Sequence, residues 1–331
     1  GCLSVHSNPD TANVTTENCA NLNIFVSRGK ERVKSGIPVL VFYYGGSFEE
    51  GDDVGAYGLY NGVKYAAEHD IILVAPNYRL GAFGFTVITD ESSGESVMGN
   101  AGFLDQQLAL NFTHDHIGDF GGDNSKITIS GESAGAMSVG LHLIAPGSRG
   151  RFRSAIMDSN PAGYYYKDVK EAADFGTSLC QDAGCGDSVC NLNCLRKVNT
   201  STLLKAWKKT EDDVWDIVRA DWGHLMSAIL AFTPTVGTDV IPMGPEDAWK
   251  KGALADVPLL VGTNTNEGST FIYDAISSSL APWEYSLALD VLFGTSLSGD
   301  IRAMARYSAN GSDARDALSY LVTDYWFRCG S

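Results

Sequence analysis

Apolar and polar positions alternate along this chain in blocks that switch between two periods. Short apolar or alternating runs at residues 39–43, 71–75, 126–130, 154–157 and 258–261 have the length and β-branched content of strands. Longer amphipathic stretches at 59–68, 102–112, 134–144, 167–182 and 246–251 have the spacing of helices. Strands apolar on both faces and separated by helices predict a mostly parallel central sheet with helices on both faces, an α/β fold, and 331 residues allow one large domain or two. In such sheets functional residues lie on loops at the carboxyl ends of the strands. Residues 1–20 are polar and turn-rich. Residues 184–199 are cysteine-rich and irregular, which predicts a stapled surface excursion at about 180–199. Past Asp274 the pattern turns mostly helical.

Composition narrows the function classes. The net charge of −16 argues against nucleic acid and anionic membrane surfaces as partners. No apolar run approaches membrane-spanning length. The seven cysteines show no zinc-type C-x-x-C spacing, so neither a metal nor another cofactor is expected. Their number, with N-x-S/T sequons at Asn13, Asn111, Asn199 and Asn310, points to an oxidising compartment. The expectation is a secreted or cell-surface protein, with one cysteine left over. No leader precedes Gly1, so a secreted chain is expected to be processed.

The chemistry is concentrated at residues 127–135, I-T-I-S-G-E-S-A-G, where a strand breaks sharply into a helix with Ser133 at the break. G-x-S-x-G in that setting is a nucleophile elbow. Its glycines let strand and helix approach closely enough to form the strained turn. A nucleophilic serine needs a base to take its proton and an acid to orient that base. Glu267, on a loop after residues 258–261, occupies the place of such an acid, although a loop glutamate is more often a solvated surface residue. Gly45-Gly46-Ser47 follows another strand. The N–H groups of Gly46 and Ser47, with that of Ala134, are candidates for an oxyanion hole; Gly-Gly after a strand is also a common turn. Glu132 either tunes the field beside the nucleophile or packs at the turn.

These segments resemble the type-B carboxylesterase, lipase and cholinesterase family. E-N-C-A-N-L-N at 17–23 is similar to the family's E-D-C-L-x-L-N, departing at Asn18 and Ala20. N-Y-R-L-G at 77–81, N-A-G-F-L-D-Q at 100–106, F-G-G-D at 120–123 and G-T-N-T-N-E-G at 262–268 match in order. T-D-Y-W-F-R-C at 323–329 resembles the segment ending F-x-C-P. The resemblance implies an α/β-hydrolase fold in a single domain spanning 1–331, incomplete at both termini, with Ser133 as nucleophile and Glu267 as acid. It implies disulfides Cys2–Cys19 and Cys185–Cys194; the extra Cys180 and Cys190 are then expected to pair with each other. It implies that Arg79 and Asp105 form a buried ion pair, whose disruption would cost about 3–5 kcal/mol. Cys329 and Glu17 match positions whose family partners lie outside these residues.

The implied activity is hydrolysis of uncharged carboxylic esters or lipids through an acyl-enzyme; the alternative is a non-catalytic, cholinesterase-like adhesion or structural extracellular domain. Oligomeric state and protein partners are not specified by the sequence. No histidine follows Glu267, where the family places its base. Of the six present, His142 lies nine residues past Ser133, about 13 Å along the same predicted helix, beyond hydrogen-bond reach. His69, His114 and His116 read as helix-end residues, His6 lies in a polar loop, and His224 has no evident role. The expectation is a fragment whose base lies outside it, and which is inactive alone. Acetylcholine is disfavoured: residues 2–19 hold no Phe, Tyr or Trp for a quaternary ammonium, and Thr270 stands where a cholinesterase has an aromatic. Ser47 replaces the last glycine of the family's oxyanion loop and is strained if the backbone there is left-handed.

Overall fold

A computed structural model describes residues 1–5, 15–27, 36–55, 58–90, 94–186, 189–213, 230–309 and 311–328. His6, Asn13, His224, Asn310 and Cys329 lie outside them. The strands are β1 (Leu22–Phe25), β2 (Ile37–Tyr43), β3 (Ile72–Pro76), β4 (Val87–Asp90), β5 (Glu95–Met98), β6 (Gly122–Glu132), β7 (Ser154–Asp158) and β8 (Leu259–Gly262). Six of them form one sheet in the order β1-β3-β2-β6-β7-β8. Only β1 runs antiparallel to its neighbour; the rest are parallel. This is the mostly parallel sheet that the apolar runs predict. β4 and β5 pair as a separate hairpin.

The periodicity explains which face is buried. In β2 the side chains of Ile37, Val39, Val41 and Tyr43 are buried and alternate with less buried neighbours, as the period-2 geometry of a strand requires. That face packs against helices α3 (Ala101–His116) and α4 (Ala134–His142) through Leu110, Ala136 and Val139. On the opposite face Phe42 meets Tyr60, and Gly62 sits tightly on Leu73 and Phe25 at the start of α1 (Val63–His69). A second core, built around Tyr44, Phe48, Tyr78, Phe85, Phe103 and Trp207, is formed largely by segments that follow the carboxyl ends of strands. A third lies among the C-terminal helices, around Tyr285, Leu289, Leu318 and Leu321.

The excursion near residue 180 leaves the end of a 14-residue helix that begins in a complete capping box, Asp168 with Glu171. Disulfides Cys180–Cys190 and Cys185–Cys194 staple it, and Cys2–Cys19 closes the N-terminal loop. Among the described residues no helix is long and apolar enough to cross a membrane.

Candidate active site

Register brings the site together. Tyr43 pairs with Gly131, Gly131 with Met157, and Met157 with Val261, so the carboxyl ends of β2, β6, β7 and β8 form one row. The loops bearing Gly46 and Ser47, Ser133, Ser159 and Glu267 all leave from that edge of the sheet.

Ser133 has φ 53° and ψ −119°, a left-handed conformation that costs a non-glycine residue of order 1–3 kcal/mol. The surrounding backbone holds it there. Its N–H donates to the carbonyl of Asp158 at 3.0 Å, and its carbonyl accepts from Met137 N–H at 2.9 Å. The flanking glycines are required by contact: a Cβ on Gly131 would lie 2.3 Å from the carbonyl carbon and oxygen of Gly135, and one on Gly135 would lie 2.0 Å from the carbonyl oxygen of Tyr43. Ala134 is the first residue of α4, so its N–H points out of the helix N-terminus, where partial positive charge accumulates.

The loop after β2 lies directly against this turn. A Cβ on Gly45 would come 3.0 Å from the Cβ of Ser133 and 2.7 Å from the carbonyl oxygen of Glu132. Gly46, Ser47 and Phe48 all have positive φ, at 107°, 57° and 64°. Ser47 is therefore strained, as its substitution for glycine predicts. The anchor is Phe48, whose ring is buried against Phe85 and whose carbonyl accepts from Gly81 N–H at 2.7 Å. Among the described residues the N–H groups of Gly46, Ser47 and Ala134 donate to no protein acceptor.

Glu267 immediately precedes α9 (Gly268–Ala275; α5 to α8 are Val169–Asp182, Leu192–Leu195, Thr200–Asp212 and Pro245–Lys250) and makes no side-chain capping bond to it. Its carboxylate accepts from Asn264 N–H at 2.6 Å and from Asn264 Nδ2 at 3.2 Å. Asn264 Nδ2 also donates to Ser159 Oγ at 3.3 Å, and Ser159 N–H donates to Gly262 O at 2.8 Å. Ser159 and Asn264 thus link the acid loop to the strand beside Ser133. Sequence reasoning missed both. The positive φ of Ser159, 51°, has no sequence signature outside glycine. Glu132 folds over Gly45, and its pKa is raised, first by partial withdrawal from water and then by the charges of Glu267 and Asp158. Three carboxylates therefore set a negative potential over the row.

No described histidine approaches it. His142 is fully buried, stacked between Tyr43 and Phe103, with Nδ1 2.8 Å from Ser148 Oγ. Burial pushes its pKa down to about 3. His69 ends α1 just before β3, and His114 and His116 end α3 just before β6, so all three lie toward the amino ends of the strands, opposite Ser133.

Two other expectations meet a different geometry. Arg79 binds Asp105 through Nε at 2.7 Å and Nη2 at 2.8 Å, but the Arg79 side chain is 41% exposed while Asp105 is 9% exposed. The pair is half-buried, not buried. Loss of Asp105 leaves a cation that water can reach, and falls short of the 3–5 kcal/mol range. Asn111 lies within α3, half-buried with Oδ1 shielded from water, a poor presentation for a glycan. Asn199 is exposed and caps α7, accepting from Thr202 N–H and Ser201 Oγ–H. No described cluster of His, Cys, Asp and Glu could hold a metal ion.

The chain is similar to known proteins. A profile of the carboxylesterase family matches residues 1–331. The cAMP-regulated D2 protein of Dictyostelium discoideum is 35% identical over 318 residues, covering 95% of this chain and 55% of that protein. The crystal protein of the same organism is 34% identical, covering 95% and 54%. The chain therefore spans about half the length of these relatives. A solved PNB esterase structure superposes with a TM-score of 0.74 at 30% identity, over 95% of this chain and 61% of that one. With the family's profile matching the whole chain and an α/β-hydrolase fold that brings the Ser133 turn, the glycine loop and the Glu267 loop to one sheet edge, the chain belongs to the carboxylesterase family.

Proposed function

We propose that the protein hydrolyses uncharged carboxylic esters or lipids through an acyl-enzyme on Ser133. The observation that carries this reading is the strained Ser133 turn, packed against a glycine loop and opening onto the helix N–H of Ala134. In the first step Ser133 Oγ bonds to the ester carbonyl carbon and gives its proton to a base. The N–H groups of Gly46, Ser47 and Ala134 receive the negative oxygen. The alcohol leaves with that proton, and water then releases the acid by the same route in reverse. Glu267 is the carboxylate that orients this base. The negative potential of Glu132, Glu267 and Asp158 suits the imidazolium that forms.

The mostly apolar lining of a cavity that begins one helical turn along α4 from Ser133 favours an uncharged acyl group. This cavity of about 400 Å³ flanks the segment after β7, lined by Met137, Met157, Pro161, Tyr166 and Val261, with Trp249 at its rim. The three disulfides favour an oxidising compartment, hence secretion or the cell surface, and Asn199 is the sequon best presented for a glycan.

Hydrolysis of 4-nitrophenyl butyrate by the full-length protein tests the reading. Ser133→Ala is expected to abolish turnover, and Glu267→Gln to reduce kcat about 10⁴-fold, the scale seen when an orienting carboxylate is lost elsewhere. Wild-type turnover in either variant contradicts the assigned role.

A further inference from the structure

The loop that carries Glu267 follows β8. Hydrogen bonds from a π-helical turn at Thr323–Arg328 hold it, beside ring contacts of Phe271 with Trp326 and Phe327. Arg328 Nη2 donates to the carbonyl oxygens of Asn264 at 3.1 Å and Thr265 at 3.0 Å. Its Nη1 donates to Asp324 Oδ1 at 3.2 Å. Asp324 is itself fixed by Arg306 and by the Tyr307 hydroxyl at 2.9 Å. At the start of the same turn, Thr323 Oγ1 accepts from Gly268 N–H at 2.8 Å and lies 3.2 Å from Asn266 Oδ1. Both donors that reach Glu267 belong to Asn264, the residue whose carbonyl Arg328 grips.

We propose that Arg328 is a positioning residue for the esterase reaction: by bridging Asp324 to the carbonyls of Asn264 and Thr265, it holds the loop that aims the Glu267 carboxylate. The planar guanidinium is suited to this, because it presents several donors in a fixed fork to one carboxylate and two carbonyls. The widened π turn carries both contacts to the loop, the Thr323 acceptor at its start and the Arg328 donors at its end, and such turns often occur at functional sites. The inference rests on the reading of Glu267 as the orienting acid.

The test uses the full-length protein and the variants Arg328→Ala, Arg328→Lys and Glu267→Gln, with the distant surface change Arg151→Ala as control. Steady-state kinetics with 4-nitrophenyl butyrate are combined with amide exchange over residues 262–268. Arg328→Ala is expected to lower kcat about 10–100-fold at unchanged KM, the scale of a misplaced catalytic group. Exchange over 262–268 should accelerate, while exchange over 127–135 stays as in wild type. Arg328→Lys should recover part of kcat, and Arg151→Ala should change nothing. If Arg328→Ala does not fold, Arg328→Lys carries the test through a smaller kcat loss and the same local exchange. Wild-type kcat or unchanged exchange in the folded Arg328 variants, with Glu267→Gln inactive, overturns the role of Arg328 and leaves that of Glu267 standing. Wild-type kcat in Glu267→Gln overturns both.

Discussion

Ser133 and Glu267 sit on the same edge of one sheet but are held there by different means. Around Ser133 the backbone does the holding. Gly131, Gly135 and Gly45 press main chain against main chain inside a buried core, at separations no side chain tolerates. Around Glu267 side chains do it: Asn264, Thr323 and Arg328 secure the loop after β8, beside a separate hydrophobic cluster. The Ser133 side is held by steric exclusion, and the Glu267 side by directed side-chain hydrogen bonds, among them the buried one from Gly268 N–H to Thr323 Oγ1.

Four substitutions probe that contrast. The largest effect is expected from Gly135→Ala, whose methyl would meet the Tyr43 carbonyl oxygen at 2.0 Å. Overpacking on that scale should destabilise by about 3 kcal/mol or more, read as a fall in the urea midpoint. A stable variant would show that the backbone contacts are softer than the contrast requires. Thr323→Val, on the acid side, removes the acceptor of Gly268 N–H. About 2 kcal/mol should be lost, with faster exchange confined to residues 262–268. Exchange that instead accelerates around Ser133 would merge the two regions into one unit.

His142 supplies a test of the dense side by pH. Folded, its pKa lies at about 3; unfolded, it returns toward 6.5. Between those values the unfolded chain binds the extra proton, so this contribution is complete above about pH 6.5. It is lost as the pH falls, by about 1.4 kcal/mol per unit. His142→Phe should flatten that slope in urea titrations between pH 4 and 7; an unchanged slope places the acid sensitivity elsewhere. The smallest effect is expected for Ser47→Gly. Relief of a φ of 57° is offset by the greater freedom of glycine in the unfolded chain, so stability should shift by less than about 1 kcal/mol.

The same contrast explains what the sequence discloses. The nucleophile side is built from glycines and apolar runs, both of which carry their geometry in residue type. Residues 39–43 and 126–130 fall within β2 and β6, and the break at Ser133 is where G-E-S-A-G puts it. β1 was not legible because four residues beside polar neighbours give too short a pattern, and β4–β5 because its apolar positions border a polar turn. The acid side depends on contacts across 55 to 64 residues of chain, from Thr323 and Arg328 to the loop. No local period encodes such contacts. The half-burial of Arg79 was hidden for a similar reason: the resemblance supplies its partner, and only packing sets its exposure.

The central claim is that Ser133 is a nucleophile poised by its own turn. Reaction of the native full-length protein with a fluorophosphonate, followed by peptide mass mapping, tests it most directly. The account predicts one adduct, on Ser133, lost in Ser133→Ala and on denaturation before exposure. A native protein that carries no adduct at Ser133 contradicts it.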